Sequence, residues 1–485
     1  MKFKRLAFIL SALLPLTLAV PAGAATPPRW QVAKIAVLPA GATGLPSGFL
    51  PALSCPSAGN CGAGGAFEDN SANTEGLVLN EVNGTWKKAV KLLAPTGASG
   101  DPLLTVDSIS CGSNNNCVAA GNYADKAGDS LSFVAVEVRG VWSRSREIKL
   151  PSNALGAGQV SQIHSISCTS AGNCGAIGVY KDSTTPIGRT EGFVVSEVRG
   201  AWTKTSEVVL PSDANVDPFT TLNQVTCASA GACVAAGSYV DTQNATHGLV
   251  VSEVHGTWLT GQSITLPGDA NAFPVASLSE VTCAAVNNCT GLGTYVNNSG
   301  DVLGLTVTEL RGVWQRAVSI TMPAGAATNP STFFYGYGGL SCPSIGNCSA
   351  GGQFLSASSA TAYEGFFVDE VNGTWEPAVQ LGLPNGAQAA GKNGGVVAVS
   401  CRSAGNCSAG AAYVDAAGDY QALVVNEVSS HWLTGTKIAL PTGGTQVGID
   451  GGVYGLVCHA KGPCTATGSY LRGFSTYEGF TVTTK

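Results

Sequence analysis

Residues 165–180 read "SISCTSAGNCGAIGVY", with Cys168 and Cys174 separated by five small or polar residues. Two cysteines this close can be half of a metal centre, a redox switch or a staple across a tight hairpin. Outward from this stretch the same arrangement returns seven times. The pairs are Cys55/Cys61, Cys111/Cys117, Cys168/Cys174, Cys227/Cys233, Cys283/Cys289, Cys342/Cys348, Cys401/Cys407 and Cys458/Cys464, with no cysteine left over. The eight tryptophans follow the same beat, at 30, 86, 142, 202, 258, 314, 375 and 432. Such self-similarity is the signature of a repeat architecture.

Within a unit the apolar period is two. "HSISC" (164–168), "FVVSEV" (193–198) and "SITLP" (263–267) are short, rich in β-branched residues and bounded by Gly, Pro or Asn, which reads as strand. Four such runs fit each unit. The first ends at the first cysteine, the second starts at the next, the third carries Glu-Val and the fourth runs from Trp to Leu-Pro. Asn83-Gly84, Arg199-Gly200 and His255-Gly256 join the third and fourth as two-residue hairpins. The seventh unit has Ser429-Ser430 there, which predicts a different turn. No helix signal is present. A four-stranded unit of about 57 residues, repeated eight times, predicts an all-β fold: one eight-bladed β-propeller of antiparallel blades. A β-solenoid is the rival, but its coils are shorter. The chain starts with a lone Trp strand (30–39) and stops at "EGFTVTTK" (478–485) with that strand missing. The N-terminal strand is therefore expected to complete the C-terminal blade and close the ring, hiding sheet edges.

The opening "MKFKRLAFILSALLPLTLAVPAGAA" has a basic start, an apolar run and Ala22-Gly23-Ala24 as a cleavage site. Residues 1–24 read as a secretory signal and 25–485 as the propeller. The apolar run, at about 15 residues, is short of the ~20 that a spanning helix needs. Removing the leader takes three of the 25 basic residues and none of the 31 acidic ones, leaving a net charge of −9. An acidic chain without a basic cluster argues against nucleic acid and anionic lipid as partners. The expected product is a soluble monomer in periplasm or medium.

Export settles the chemistry of the cysteines. A tetrahedral metal needs four soft ligands and each pair supplies two. The five histidines do not follow the repeat, and no C-x-x-C redox motif occurs. Even pairing in an oxidising compartment, at the ends of hairpin-paired strands, predicts eight local disulfides. They are expected to clip the turns that crowd one face of the ring. The seven glutamates that sit five residues before a Trp (81, 137, 197, 253, 309, 370, 427) recur too regularly to be one catalytic acid.

The units "SCPSAGNCGAGGAF" (54–67) and "LVLNEVNGTW" (77–86) resemble repeats of a group of secreted bacterial β-propeller-like proteins, over residues 30–485. That resemblance implies a propeller and no particular chemistry, since none is assigned to the group. "SEVRGAW" (196–202) is more faintly similar to the Asp-box of sialidases, but lacks its Asp and is one residue shorter. The box is structural, so the likeness implies a blade.

Function is expected on the face opposite the cysteine turns, where the loops after Leu-Pro and before "EGF" vary. The richest is "NPSTFFYGYGGL" (329–340), offering Phe333, Phe334, Tyr335 and Tyr337 for sugar stacking or a protein anchor. Phe219, Phe273, Tyr454, Phe474 and Tyr477 are expected on the same face. Four residues before the first cysteine come Asp107, His164, Asn223, Ser279 and Tyr454, expected to converge near the axis. Asp107 and His164 could there form an acid–base pair. The non-repeating carboxylates Asp101, Asp213, Asp217, Asp269 and Glu280 form no catalytic signature. The expectation is a binding scaffold for carbohydrate or protein rather than an enzyme, with no metal and no cofactor. A glycan-active enzyme at the channel mouth and a purely structural surface protein are the alternatives.

Overall fold

The computed structural model describes residues 28–44, 50–334, 336, 338–359, 361–388, 394–447, 452–472 and 476–485. The leader expected at 1–24 lies outside them. The described residues form eight antiparallel blades and contain no helix.

Blade 3 contains the opening stretch. Gln162–Ser170 pairs with Asn173–Lys181, which pairs with Thr190–Val198. The outermost strand is split into Ala201–Trp202 and Ser206–Glu207, both on the third strand. Between the two pieces the chain turns to its neighbour. In blade 4, for example, Gly261 N–H donates to the Val209 carbonyl of the preceding outer strand at 2.7 Å. The eight innermost strands begin at Ala52, Thr105, Gln162, Thr221, Ala276, Leu340, Gly395 and Val453. Each packs beside the next, and the last packs beside the first. In blade 8 the last strand, Thr476–Thr483, pairs with Lys34–Ile35, and Trp30 forms a bridge with Thr484.

The core lies between blades rather than within them. Val118, Ala120 and Val134 of blade 2 meet Ile163, Ile166, Tyr180, Phe193 and Val195 of blade 3, with Trp202 packed over the edge. Each buried Phe or Tyr contributes roughly 2–3 kcal/mol of apolar burial. The Gly-x-Tyr spacing has a steric cause. A Cβ on Gly178 would stand 2.1 Å from the Gln162 carbonyl and 2.7 Å from the Phe193 ring.

All eight disulfides form within their hairpins: Cys55–Cys61, Cys111–Cys117, Cys168–Cys174, Cys227–Cys233, Cys283–Cys289, Cys342–Cys348, Cys401–Cys407 and Cys458–Cys464. Their Cα–Cα separations run from 3.8 Å to 4.1 Å. No free cysteine is found among the described residues. Complete pairing is the pattern of a chain matured in an oxidising compartment. No described helix is long and apolar enough to cross a membrane.

The pairing is as expected, and the staple turns bond to the x-Gly turns beside them, while the second cysteines also reach into the contacts between blades. The second cysteine of every pair (Cys61, Cys117, Cys174, Cys233, Cys289, Cys348, Cys407 and Cys464) is buried. All of these but Cys61 belong to the apolar clusters between blades. Among the first cysteines, Cys111 and Cys458 are buried too, while Cys55, Cys168, Cys227, Cys283, Cys342 and Cys401 are half-buried. The cause is the strand period: the second cysteine opens a central strand with its side chain turned to the neighbouring blade. The sulfurs lie against that neighbour. A Cβ on Gly62 would stand 2.9 Å from Cys111 Sγ, and one on Gly175 would stand 2.9 Å from Cys233 Sγ. Small residues after Cys61 and Cys174 thus make room for the next blade's disulfide. The second cysteines are interior packing groups of the contacts between blades.

The serine before the first cysteine laces the ring. Ser110 Oγ accepts from Cys168 N–H at 2.8 Å and Ser167 Oγ from Cys227 N–H at 3.0 Å, each reaching the next blade. The asparagine of "GNC" ties two turns together. Asn173 Oδ1 accepts from Arg199 N–H in the Arg-Gly turn, and Gly200 N–H donates to the Gly172 carbonyl. Ser429 and Ser430, expected to turn differently, adopt the same left-handed pair, with φ of 50° and 62°. Their turn is held in the same way, by Gly405 and Asn406. The recurring glutamates are buried beside the disulfides: Glu197 pairs in register with Cys174 and Trp202. Ser196 donates to Glu253 Oε1 across the blade boundary at 2.6 Å. Glu137 likewise accepts from Asn80 of the preceding blade, so Glu137 and Glu253 are interior hydrogen-bond acceptors.

Candidate functional site

The loop face is assembled from two segments per blade. The loop entering a blade meets that blade's second turn through a short backbone bridge: Ala98 with Asp125, Ala154 with Asp182, Ala214 with Asp241 and Ala387 with Asp415. The aspartate of each bridge also braces its own turn. Asp125 Oδ1, for instance, accepts from Ala127 and Asp129 N–H at 2.8 and 2.9 Å. Sequence reading missed this recurring acid. Its signal was available as the Asp two residues after most of the repeat's aromatics.

Just before the innermost strands the loops present an arc of apolar side chains. Leu103, Val160, Phe219 and Val275 occupy one repeat position in four consecutive blades, and each is between 47% and 58% exposed. Phe273 and Phe333 extend the arc at 65% and 48%. Backbone bonds fix it on both sides. Thr220 N–H reaches the Thr190 carbonyl of the preceding blade, and the Pro218 carbonyl accepts from Val240 N–H. Between these anchors Phe219 is held at φ 43°, as Leu103 is at 44°. Left-handed backbone is uncommon for bulky residues and persists where the surrounding structure over-determines it.

Below this rim the axial residues share an unexpected geometry. Asp107, His164, Asn223, Ser279 and Tyr454 each fall where the register of the innermost strand slips by one residue. They are β-bulge residues, whose side chains a bulge re-aims. The structure gives them separate partners. His164 Nδ1 donates to the Leu222 carbonyl at 2.6 Å, and Asn223 Nδ2 donates to the Leu278 carbonyl at 2.7 Å, each in the next blade. Asp107 accepts from Asn122 at 2.7 Å. Ser469 donates to the buried Tyr454 hydroxyl. Asp107 is open to solvent, yet the surrounding protein withholds enough water to push its carboxyl up to about 6, against the hydrogen bonds from Thr105 and Asn122.

The aromatic loop divides. Phe333 is exposed and pairs its backbone with Gln353. Phe334 is 4% exposed and packs edge-on to Phe366 at 5.9 Å, which makes it core rather than surface. Tyr335, Tyr337 and Phe474 lie outside the described residues. The loop is gripped by Glu280, whose Oε1 accepts from Gly339 N–H at 2.8 Å. Complete burial pushes this carboxyl up to about 7, although the Gly339, Leu340, Gly338 and Gly336 N–H groups favour its charged form.

No protein-family model matches the sequence, and no curated protein matches it. Several solved structures are similar to it over most of the chain. One is a polysaccharide lyase, an ulvan lyase (10% identity, 75% of this chain, 89% of that chain, TM-score 0.43). Another is the six-bladed fucose-recognising lectin of Aleuria aurantia (13%, 72%, 99%, TM-score 0.32). A third is the Hadza microbial sialidase Hz136 (11%, 76%, 74%, TM-score 0.36). These likenesses concern the propeller alone. They correct one expectation: enzymes stand beside lectins among the matches. The missing catalytic motif therefore gives no ground for reading the chain as a non-enzyme, and its enzymatic status is open.

Proposed function

We propose that the protein is an exported, disulfide-stapled propeller of the secreted bacterial type its motif resembles, and that it binds carbohydrate across the channel mouth of its loop face. In this reading the ring is held shut by the N-terminal strand lying on the last strand of blade 8. The observation that carries the binding reading is the arc of exposed apolar residues at one position in consecutive blades, with Phe219, Phe273 and Phe333 within it. Isolated exposed apolar side chains are ordinary, whereas a rigid series of them marks an interaction surface. Phenyl faces suit the apolar face of a sugar ring. Asn271, which accepts from Phe273 N–H, and Asp107, His164 and Asn223 below the rim supply polar groups beside them.

The test is a glycan array followed by titration of the best ligand. Phe219→Ala and Phe273→Ala are each expected to weaken binding about tenfold, the equivalent of roughly 1.4 kcal/mol, with unchanged melting. Binding that survives both substitutions would remove the arc from the site. Sizing the recovered glycan reports any cleavage, and a shortened product would make the protein a glycan-active enzyme.

A further inference from the structure

Because the chain repeats, each blade serves as a control for the others, and one spot on the loop face differs chemically from its counterparts. Three positions meet where the incoming loop bridges the second turn. They are the residue before the bridging alanine, the aspartate of the turn, and the third-strand residue opposite the blade's aromatic. In blade 4 these are Asp213, Asp241 and His247, the last in register with Tyr239. Blade 5 has Asp269, Asn297 and Leu303 in these places, and blade 7 has Gly386, Asp415 and Gln421. Among the described residues, blade 4 holds the one group of three ligand-type side chains whose donor atoms all lie within 4.8 Å of one another.

The ligand atoms are already oriented. Asp241 Oδ1 is taken by Gln243 and Ala245 N–H at 2.8 and 2.9 Å, which turns Oδ2 towards His247 Nε2 at 2.9 Å. Asp213 Oδ1 accepts from the Tyr239 hydroxyl at 2.9 Å, leaving Oδ2 for another partner. The Tyr239 ring stacks on the imidazole, centroids 5.4 Å apart and planes 24° apart. Outer contacts of this kind fix first-ligand geometry in metal sites.

We propose that Asp213, Asp241 and His247 bind a first-row divalent cation, zinc(II) foremost, on the loop face of blade 4. Two carboxylate oxygens and one imidazole nitrogen suit zinc, and three protein ligands leave a position open to water or an incoming hydroxyl. Calcium prefers six to eight oxygens and is disfavoured by the imidazole. Asp213 is exposed and Asp241 buried, so the cation has access from solvent and an anchored floor.

The competing account is bracing alone, and other blades show what bracing looks like. Gln421 Nε2 donates to Asp415 Oδ2 at 2.9 Å in the place of His247. Asn153 Oδ1 accepts from the Tyr180 hydroxyl at 3.0 Å in the place of Asp213. His247→Gln and Asp213→Asn therefore copy solutions the chain already uses, keeping the hydrogen bonds while deleting a ligand. Tag-free, chelator-treated protein is titrated with zinc(II) by calorimetry, and cobalt(II) is added to read its coordination spectrum. One zinc per chain is expected, with at least tenfold weaker binding in each variant, unchanged metal-free melting, and a cobalt spectrum lost in His247→Gln. Absence of binding, or equal binding by wild type and both variants, would overturn the site. Neither result bears on the glycan arc, whose residues are not ligands here.

Discussion

The two faces of the ring differ in the side chains that they hold in left-handed backbone. On the cysteine face the left-handed residue of the staple turn is Gly or Asn: Gly59, Asn115, Gly172, Gly231, Asn287, Gly346 and Gly405. At Gly172 a Cβ would also stand 2.7 Å from the Gly200 amide nitrogen, so two turns leave no room for a side chain. On the loop face comparable backbone is imposed on Leu103, Phe219 and Ser331. The x-Gly turns packed against the staple turns hold Arg139, Arg199, His255 and Arg311 left-handed as well, at φ of 51° to 53°, so the side chains in such backbone on the cysteine face are polar. The loop face holds the apolar Leu103 and Phe219 in it, at φ of 44° and 43°. The difference marks the loop face as the one that shows apolar side chains to solvent from such backbone.

The largest effect should come from breaking the uniform face. Each staple closes a small loop and contributes about 2 kcal/mol to the stability of the folded state on loop-entropy grounds. Eight together exceed the net stability of about 5–15 kcal/mol typical of domains. Reduction is therefore expected to abolish the cooperative melt followed by circular dichroism, and paired Cys168→Ala/Cys174→Ala to lower it by a few degrees. A reduced protein that melts like the oxidised one would show that the turns, and not the staples, hold that face.

This asymmetry also explains what could be read from sequence. Blade number, strand number and cysteine pairing are the same in every unit, so eight copies reinforce one weak local signal. Pairing was legible from spacing, but the burial of Cys174 and its counterparts was not, because it depends on how closely the next blade approaches. The Ser429-Ser430 turn shows the limit of that reading, because a local residue preference yielded to the contacts from Gly405 and Asn406. The loop face repeats its backbone bridges, but the side chains that it carries vary from blade to blade. Phe333 and Phe334 are neighbours in sequence, yet one is exposed and the other is core, a difference decided by the packing of Phe366. The axial residues were visible as a column, but not as bulges, since a register slip is a property of paired strands. Asp213, Asp241 and His247 come from three segments, and only the observed register brings them together.

Burial, with the charge of Asp369, pushes Glu427 up to about 8. Burial pushes Glu280 and Glu191 up to about 7. Their raised folded values mean that the associated stability is complete below the ordinary carboxylate range and is lost as pH rises towards 8. Asp182 runs the other way: burial would raise it, but the bonds from Arg189 and Thr184 hold it down to about 2. Its contribution is present above the ordinary aspartate value and is lost as pH falls towards 2. Melting temperature should therefore peak at about pH 4 to 5 and fall by several degrees by about pH 8.5. Glu427→Gln should flatten part of that decline. A wild-type melt that rises steadily to alkaline pH would contradict the buried-carboxyl assignment.

The smallest effect on stability should come from the residue most important to the proposed site. Phe219 is 58% exposed, so deleting its side chain sacrifices little packing. Its φ of 43° costs about 1 kcal/mol in a bulky L-residue, and glycine relieves that cost. Glycine also adds roughly 0.5–1 kcal/mol of freedom to the unfolded chain. The two terms nearly cancel, so Phe219→Gly should melt within about a degree of wild type while losing glycan affinity about tenfold. Gly172→Ala on the other face should do the reverse, lowering the melt through its clash with Gly200 and leaving affinity intact. If Phe219→Gly instead unfolds the blade, the phenyl ring is structural and the loop face is less independent of the scaffold than its exposed arc indicates.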